Sequence, residues 1–497
     1  MDILDYLEYA LHDGATRVIA LLLDSLADGA RFRRLAARAD ALGKHIVVFK
    51  IGVSEEGAAA AEAHCSRLAS PAAEYRALFA ASGVAVAHSL EGMMTCAALL
   101  SLFGRRSGAL GALTVSGAGA AILVDAADKY RVPLTRYAAA TQAALDQRKM
   151  FSRVGNPTDY GIFGAMRAAF GQVPTLIAED PGVAVLLTLV HSMNDYQRTP
   201  YIEALVAAQG AGKPILVLTP GGLAPDERAA YAAHGFCCLG DTDSAMQAIA
   251  ALLAPRQAAS SVPTAADMRT TPADEPLLRL RRPLTEPESL GLLARFGVPV
   301  VRTVVCAGLD DAIAALATIG APVAFKAVKP GVTHKTELGL VRTGIRDADA
   351  MRQAHAQFGE AALLVQPMVE GKLEAIAGLK RTPDLGLFLV AGLGGIHAEA
   401  LRDVSLWPVP VTREQIEATL AMAPLGRVLQ SARWPYPDSF DALVDTLMHL
   451  QVFGAWAGDT IDAVDINPLV IGAHGCIAVD ALVVPRKVAY QQKTGRA

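Results

Sequence analysis

The feature that most constrains this chain is a regular alternation of strand-like and helix-like segments over its first 254 residues. "TRVIALLLDSL" is an apolar run of strand length that ends at Asp24. "ARFRRLAARADALG" then reads as an amphipathic helix with a basic open face, and "KHIVVFKIG" is strand-like again. A helix, "AAEYRALFAASG", and a short strand, "VAVAH", follow. Parallel strands need crossovers of helix length, so this alternation predicts parallel sheets covered by helices on both faces. The pattern restarts at "ALGALTVSGAGAAILVDAADKYRV" and continues through "VAVLLTLV" and "KPILVLTPGG". Residues 1–105 and 106–254 are therefore expected to form two similar open α/β domains.

Residues 255–275, "PRQAASSVPTAADMRTTPADE", have no hydrophobic period and read as a linker. Beyond it, Thr285 and Glu288 stand in capping-box spacing, and Leu290, Leu293 and Phe296 share one helical face. Strands and helices mix less regularly over 276–497, which predicts an α+β domain with antiparallel sheet.

Composition narrows the class. Hydrophobic residues make up 52% and charged residues 19%, which fits packed domains rather than a disordered chain. A net charge of -4 gives no general attraction to nucleic acid. The longest strongly apolar run, 183–190, is too short to span a bilayer, so no membrane partner is expected. The acidic start "MDILDYLEYALHDG" does not resemble a signal peptide, and the six cysteines have neither zinc spacing nor a disulfide framework. A reducing cytoplasm is the expected location.

Several residues have types and settings that suit phosphate chemistry. Lys326 lies in an apolar strand, where an ammonium can lie across phosphate oxygens. The plain alternative is a lysine snorkelling from a sheet edge. His334 and Lys335 follow in the next loop, which is either a solvated hairpin or a phosphate-handling turn. Gln366, Pro367 and Met368 read as a connection between two lobes, with backbone groups able to read an adenine edge. Glu370 and Glu374 lie close by and could hold a ribose, although taken alone this stretch reads rather as a strand pair joined by a glycine turn. Gly394 and Gly395 belong to a glycine-rich turn of the kind that lets backbone N–H groups approach phosphates. Asn467 and Asp480 punctuate two apolar strands and are oxygen donors suited to Mg²⁺. In the first half, Gly117 and Gly119 open a helix whose N-terminus can receive an anion.

In this order, these features resemble the ATP-grasp fold. More narrowly, they resemble the nucleotide-binding half of the NDP-forming acyl-CoA synthetases, relatives of succinyl-CoA synthetase. "KPGVTHKTELGLV" stands where that family shows "SPDxxHKSDxGGV", "GLGGIHAEALRD" matches its "GLGGxxxExLKD", and "DINPL" is intact at 465–469. In the first half, "VSGAGAAILVD" resembles the family's "NGAGLAMATMD", and "NPTDYG" its "NPVDLG". "AEAHCSRLAS" stands where the family has "SHTGALAG".

The resemblance implies two flavodoxin-like, succinyl-CoA synthetase-like open parallel-sheet domains followed by a two-lobed ATP-grasp domain. It implies ATP with Mg²⁺, a carboxylic acid and CoA as reactants. His64 would carry the phosphoryl group, Asp24 would orient its ring, and His334 would take part in transfer. Lys326 and Lys335 would neutralise the phosphates, with Gln366, Met368 and Glu374 around the nucleotide.

The chain departs from the family in three ways. It starts where the family's CoA-binding domain would end, so a separate CoA-binding subunit and an oligomeric assembly are expected. Ser66, Arg67 and Ser70 replace the glycine-rich setting of the active histidine, and Asp24 replaces a glutamate. These departures keep two other outcomes in view: a CoA-independent ATP-grasp ligase that passes its acyl phosphate to another nucleophile, and a catalytically degenerate nucleotide-binding paralogue.

Overall fold

The computed structural model describes residues 1–54, 56, 72–148, 155–159, 161, 171–255, 275–280, 282–328, 338–358, 361–395 and 404–486. The chain divides into two compact units.

The N-terminal unit comprises Met1–Ala27, Arg31–Ala69 and Ser82–Ala258. Its first sheet pairs β1 (Val18–Leu23), β2 (His45–Lys50) and β3 (Ala85–Ala87) in parallel, in that order. Its second sheet contains β4 (Ala109–Thr114), β5 (Thr158–Asp159), β6 (Val183–Leu189), β7 (Ile215–Leu218) and β8 (Cys237–Leu239). These strands are all parallel, in the order β5-β4-β6-β7-β8. Every residue of β6 is buried, as the unbroken apolar run predicts for a strand covered on both faces. The helix Leu90–Phe103 packs along the helix Thr242–Leu253, and a single core takes Val47 and Ala87 from the first sheet and Leu110 and Leu187 from the second.

The C-terminal unit comprises Asp28–Ala30, Ser70–Ala81 and Ala259–Ala497. Its smaller sheet contains β9 (Val304–Cys306), β10 (Val323–Val328), β11 (Val341–Ile345) and β12 (Ala362–Pro367), in antiparallel order β11-β10-β12-β9. The larger sheet contains β13 (Leu373–Thr382), β14 (Gly386–Leu393), β15 (Val404–Pro408), β16 (Ile461–Gly472), β17 (Gly475–Ala478) and β18 (Ala481–Pro485). It is antiparallel in the order β15-β14-β13-β16-β17, and β18 also pairs with β16. The helix Ser439–Ala457 packs on this sheet through Leu443, Leu447, Leu450 and Phe453, and Phe296 packs edge-on against Phe453 at 5.1 Å. The parallel-then-antiparallel fold class expected from the sequence is the one observed.

Two short segments from early in the chain belong to this C-terminal unit. Gly29 N–H donates to the Asp384 carbonyl at 2.9 Å. The helix Ala72–Ala81 lies on β15, the edge strand of the larger sheet. Its Glu74 is nearly buried and accepts a bond from Lys380 Nζ on β13 at 2.7 Å. Covering an edge strand shields backbone groups that would otherwise template aggregation. Among the described residues, no helix is long and apolar enough to cross a membrane.

Candidate active site

The C-terminal unit gathers its candidate residues where the two sheets meet. In β10, residues 323–327 are all buried, including Lys326, which is 6% exposed. The cross-strand register puts Ala324 opposite Gln366 and Lys326 opposite Leu364, so Lys326 and Gln366 are diagonal neighbours on one face. Both reach the same carboxylate oxygen. Lys326 Nζ donates to Glu286 Oε1 at 2.7 Å, and Gln366 Nε2 donates to it at 2.9 Å. Gln366 Nε2 also donates to Thr303 Oγ1 at 3.0 Å. A buried ammonium is tolerable only with such partners.

Lys326 Nζ makes a second bond, 2.8 Å to the Val479 carbonyl. Val479 lies in the link between β17 and β18, immediately before Asp480. The same link is fastened to β16. Asn467 N–H donates to the Asp480 carbonyl at 3.3 Å, and Val479 N–H to the Pro468 carbonyl at 3.2 Å. The fold therefore brings Lys326, Asn467 and Asp480 together. Asn467 is exposed and Asp480 half-buried. Among the described residues no group of three or more His, Cys, Asp and Glu forms a metal cage. One amide oxygen and one carboxylate fit Mg²⁺, which takes few protein ligands and fills its octahedron with phosphate oxygens and water.

The other nucleotide candidates flank this centre. Met368 follows β12, is 37% exposed, and donates its N–H to the Pro322 carbonyl at 3.2 Å. The Gln366 side chain points into the protein, so what the 366–368 connection can offer a base is its backbone and Met368. Glu374 is exposed on β13. Gly394 N–H donates to the Glu374 carbonyl at 2.8 Å. A side chain at Gly394 would meet the Glu374 and Ala375 backbone at 3.0 Å, and Gly395 (φ +60°) lies against the Glu374 carboxylate. The glycine turn and Glu374 thus form one corner, where glycine is favoured at 394 by the close Glu374 backbone and at 395 by a left-handed backbone conformation. His334 and Lys335 lie outside the described residues.

In the N-terminal unit, the helix Gly117–Lys129 leaves the C-terminal end of β4, where the strand order reverses between β4 and β6. Such switch points are the usual ligand crevices of open parallel sheets. Gly119 is buried, and any Cβ there would collide with Thr114 Oγ1 and come within 3.2 Å of Leu189 Cδ2. Its role is to seat the helix on the sheet. Gly117 is exposed, and a Cβ at that position would lie 3.5 Å from Asp159 Oδ2, an ordinary contact. Asp24 follows β1 and accepts the Ser25 N–H through Oδ1 at 2.5 Å. Lys50, opposite Leu23 in the register, ends β2 and is 7% exposed. Burial pulls the Lys50 ammonium below its ordinary pKa, and the Asp24 carboxylate opposes that shift. His64 lies outside the described residues.

Sequence reasoning missed Glu286, Thr303, Lys50 and Asp159. Glu286 is one of two glutamates in the first turn of the helix Glu286–Ala294, and local pattern assigns it only a helix-dipole role. Its partners are 40 and 80 residues away in the chain, which no local spacing reveals. Lys50 carried a usable signal: a lysine closing the apolar strand "HIVVF" has the same setting as Lys326.

The comparisons agree with this layout. The succinyl-CoA ligase-like flavodoxin domain family matches residues 1–100, and an ATP-grasp domain family matches 277–484. The ADP-forming acetate–CoA ligase I of Archaeoglobus fulgidus is 30% identical over 97% of this chain and 72% of its own length. A trans-feruloyl-CoA synthase from an unidentified prokaryote is 27% identical over 97% of this chain and 70% of its own. The beta subunit of the ADP-forming acetate–CoA ligase I of Pyrococcus furiosus is 30% identical over 41% of this chain and 92% of its own.

Proposed function

The chain belongs to the family of ADP-forming acetate–CoA ligases, and on that premise we propose that it converts a carboxylic acid, CoA and ATP to acyl-CoA, ADP and phosphate through a phosphohistidine and an acyl phosphate. The observation that carries this reading is the placement of Lys326. Its ammonium is bonded to the Val479 carbonyl, one residue before Asp480, and the Asp480 backbone is paired with Asn467. A phosphate-seeking cation beside two Mg²⁺-type oxygen donors is what nucleotide binding requires.

In this reading Lys326 meets the nucleotide's phosphate oxygens, and Asn467 and Asp480 hold Mg²⁺. When bound, Mg²⁺ offsets the negative charge of the phosphates. The Gly394–Gly395 corner and Glu374 border the nucleotide, with Met368 and the 366–368 backbone at the base. His334 takes part in the transfer and Lys335 neutralises charge on the phosphates.

An imidazole nitrogen of His64 attacks the γ-phosphorus and ADP leaves. A carboxylate oxygen of the acid then attacks the phosphohistidine, forming acyl phosphate and freeing His64. The CoA thiol, losing its proton, attacks the acyl carbon and phosphate leaves. Dividing one difficult displacement into three easier ones is the gain of covalent catalysis. Asp24 orients the His64 ring, and the helix N-terminus at Gly117 favours the phosphoryl or acyl-phosphate anion.

The test is to incubate the purified chain with Mg²⁺ and γ-labelled ATP and to look for acid-labile protein phosphate. Label on the wild type and none on His64→Asn is the expected result. A folded, ATP-binding chain that takes no label would rule out the phosphohistidine route. Acyl phosphate that turns over to an acylated product other than acyl-CoA, whether or not CoA is present, would instead point to a CoA-independent ligase.

A further inference from the structure

We propose that Glu286 is a positioning residue for the nucleotide: it fixes the ammonium of Lys326, and through it the charge presented to the phosphates of a nucleoside triphosphate. The inference rests on the reading of Lys326 as a phosphate contact. The Glu286 side chain is 1% exposed and that of Lys326 is 7% exposed, at 2.7 Å from one another. Burying both ions costs more than burying two apolar side chains of the same size, so stability alone is a weak reason for such a pair. Its location supplies a better reason.

Glu286 Oε1 accepts from Lys326 on β10 and from Gln366 on β12, and Gln366 is itself tied to Thr303. The carboxylate is therefore held from a second side and cannot follow the lysine if the lysine moves. Lys326 is drawn at the same time toward the Val479 carbonyl, beside Asp480. An ammonium carries three N–H donors. Glu286 and Val479 take two, which fixes the direction of the third, the one available to a phosphate oxygen. Without the carboxylate, the ammonium loses the bond that fixes its direction toward a phosphate oxygen.

The test uses the full chain and Mg·ADP as the probe. Binding is measured by calorimetry for wild type, Lys326→Ala, Glu286→Ala and Glu286→Gln. KM for ATP and kcat are measured alongside. The near-isosteric glutamine keeps an acceptor for Lys326 and Gln366 if the alanine variant fails to fold. Glu286→Gln is expected to weaken Mg·ADP at least tenfold, as a neutral amide holds the ammonium less firmly than a carboxylate. KM for ATP should rise more than kcat falls. Glu286→Ala, where folded, should be weaker still. If Lys326→Ala weakens binding while both Glu286 variants match wild type in affinity and in KM for ATP, Glu286 has no positioning role. If Lys326→Ala binds as wild type does, the phosphate reading of Lys326 fails, and this inference with it.

Discussion

Two glycines two residues apart have opposite physical reasons for being glycine. Gly119 is packed where a methyl group would strike Thr114, whereas one at Gly117 would make only an ordinary contact with Asp159. Gly119→Ala should therefore destabilise the N-terminal unit by about 1–3 kcal/mol through overpacking, and Gly117→Ala should stay within about 0.5 kcal/mol of wild type. Denaturant melts of the two variants check this, and equal losses would refute it. From the sequence the two read alike, as a phosphate-approach pair, because a Gly-x-Gly string does not say which glycine faces a ligand and which a neighbouring strand. The same limit applied to Glu286. Its helix start was legible from Thr285 and Glu288, but its buried partners were not.

At the scale of an element, the helix Glu286–Ala294 shows how a sequence signal becomes energy. Glu288 accepts the Thr285 N–H at 2.7 Å, closing the predicted capping box, and also receives both arms of the Arg282 guanidinium at 2.8 Å. The Arg282 hydrogen bonds, ahead of the Thr285 bonds, hold the Glu288 carboxyl down at about 2 against an ordinary 4.5. A depressed carboxyl pKa adds stability that is complete above the unfolded pKa and is lost as pH falls through the folded one. The clamp thus works fully above about pH 4.5 and is gone near pH 2. Glu288→Gln should cost roughly 1 kcal/mol at pH 7, given the partial exposure of the pair, and nothing below pH 2. Melting both proteins across that range tests the sign, and a difference that persists at pH 2 would assign the loss to packing.

For the whole molecule, alternation, linker composition and capping gave the order of parallel and antiparallel sheets from sequence alone. What they could not give was the destination of the helix Ala72–Ala81. Its period reveals an apolar face but not which sheet will cover that face, and the structure places it on β15 of the C-terminal unit. A single cut between the halves should consequently not separate them. With a protease site engineered into 255–275, the two fragments should co-elute after cleavage under native conditions, held in part by that helix. Independent elution would count against its placement.

That placement also sets a timetable. Glu74 and Lys380 are 306 residues apart in the chain. At about 5–20 residues per second, a ribosome takes roughly 15–60 s to deliver the second after the first. During that interval the helix exists without the strand it will lie on, and Glu74 without its countercharge. The helix Ala72–Ala81 reaches its final place only after the chain has been made through β15, more than 300 residues later.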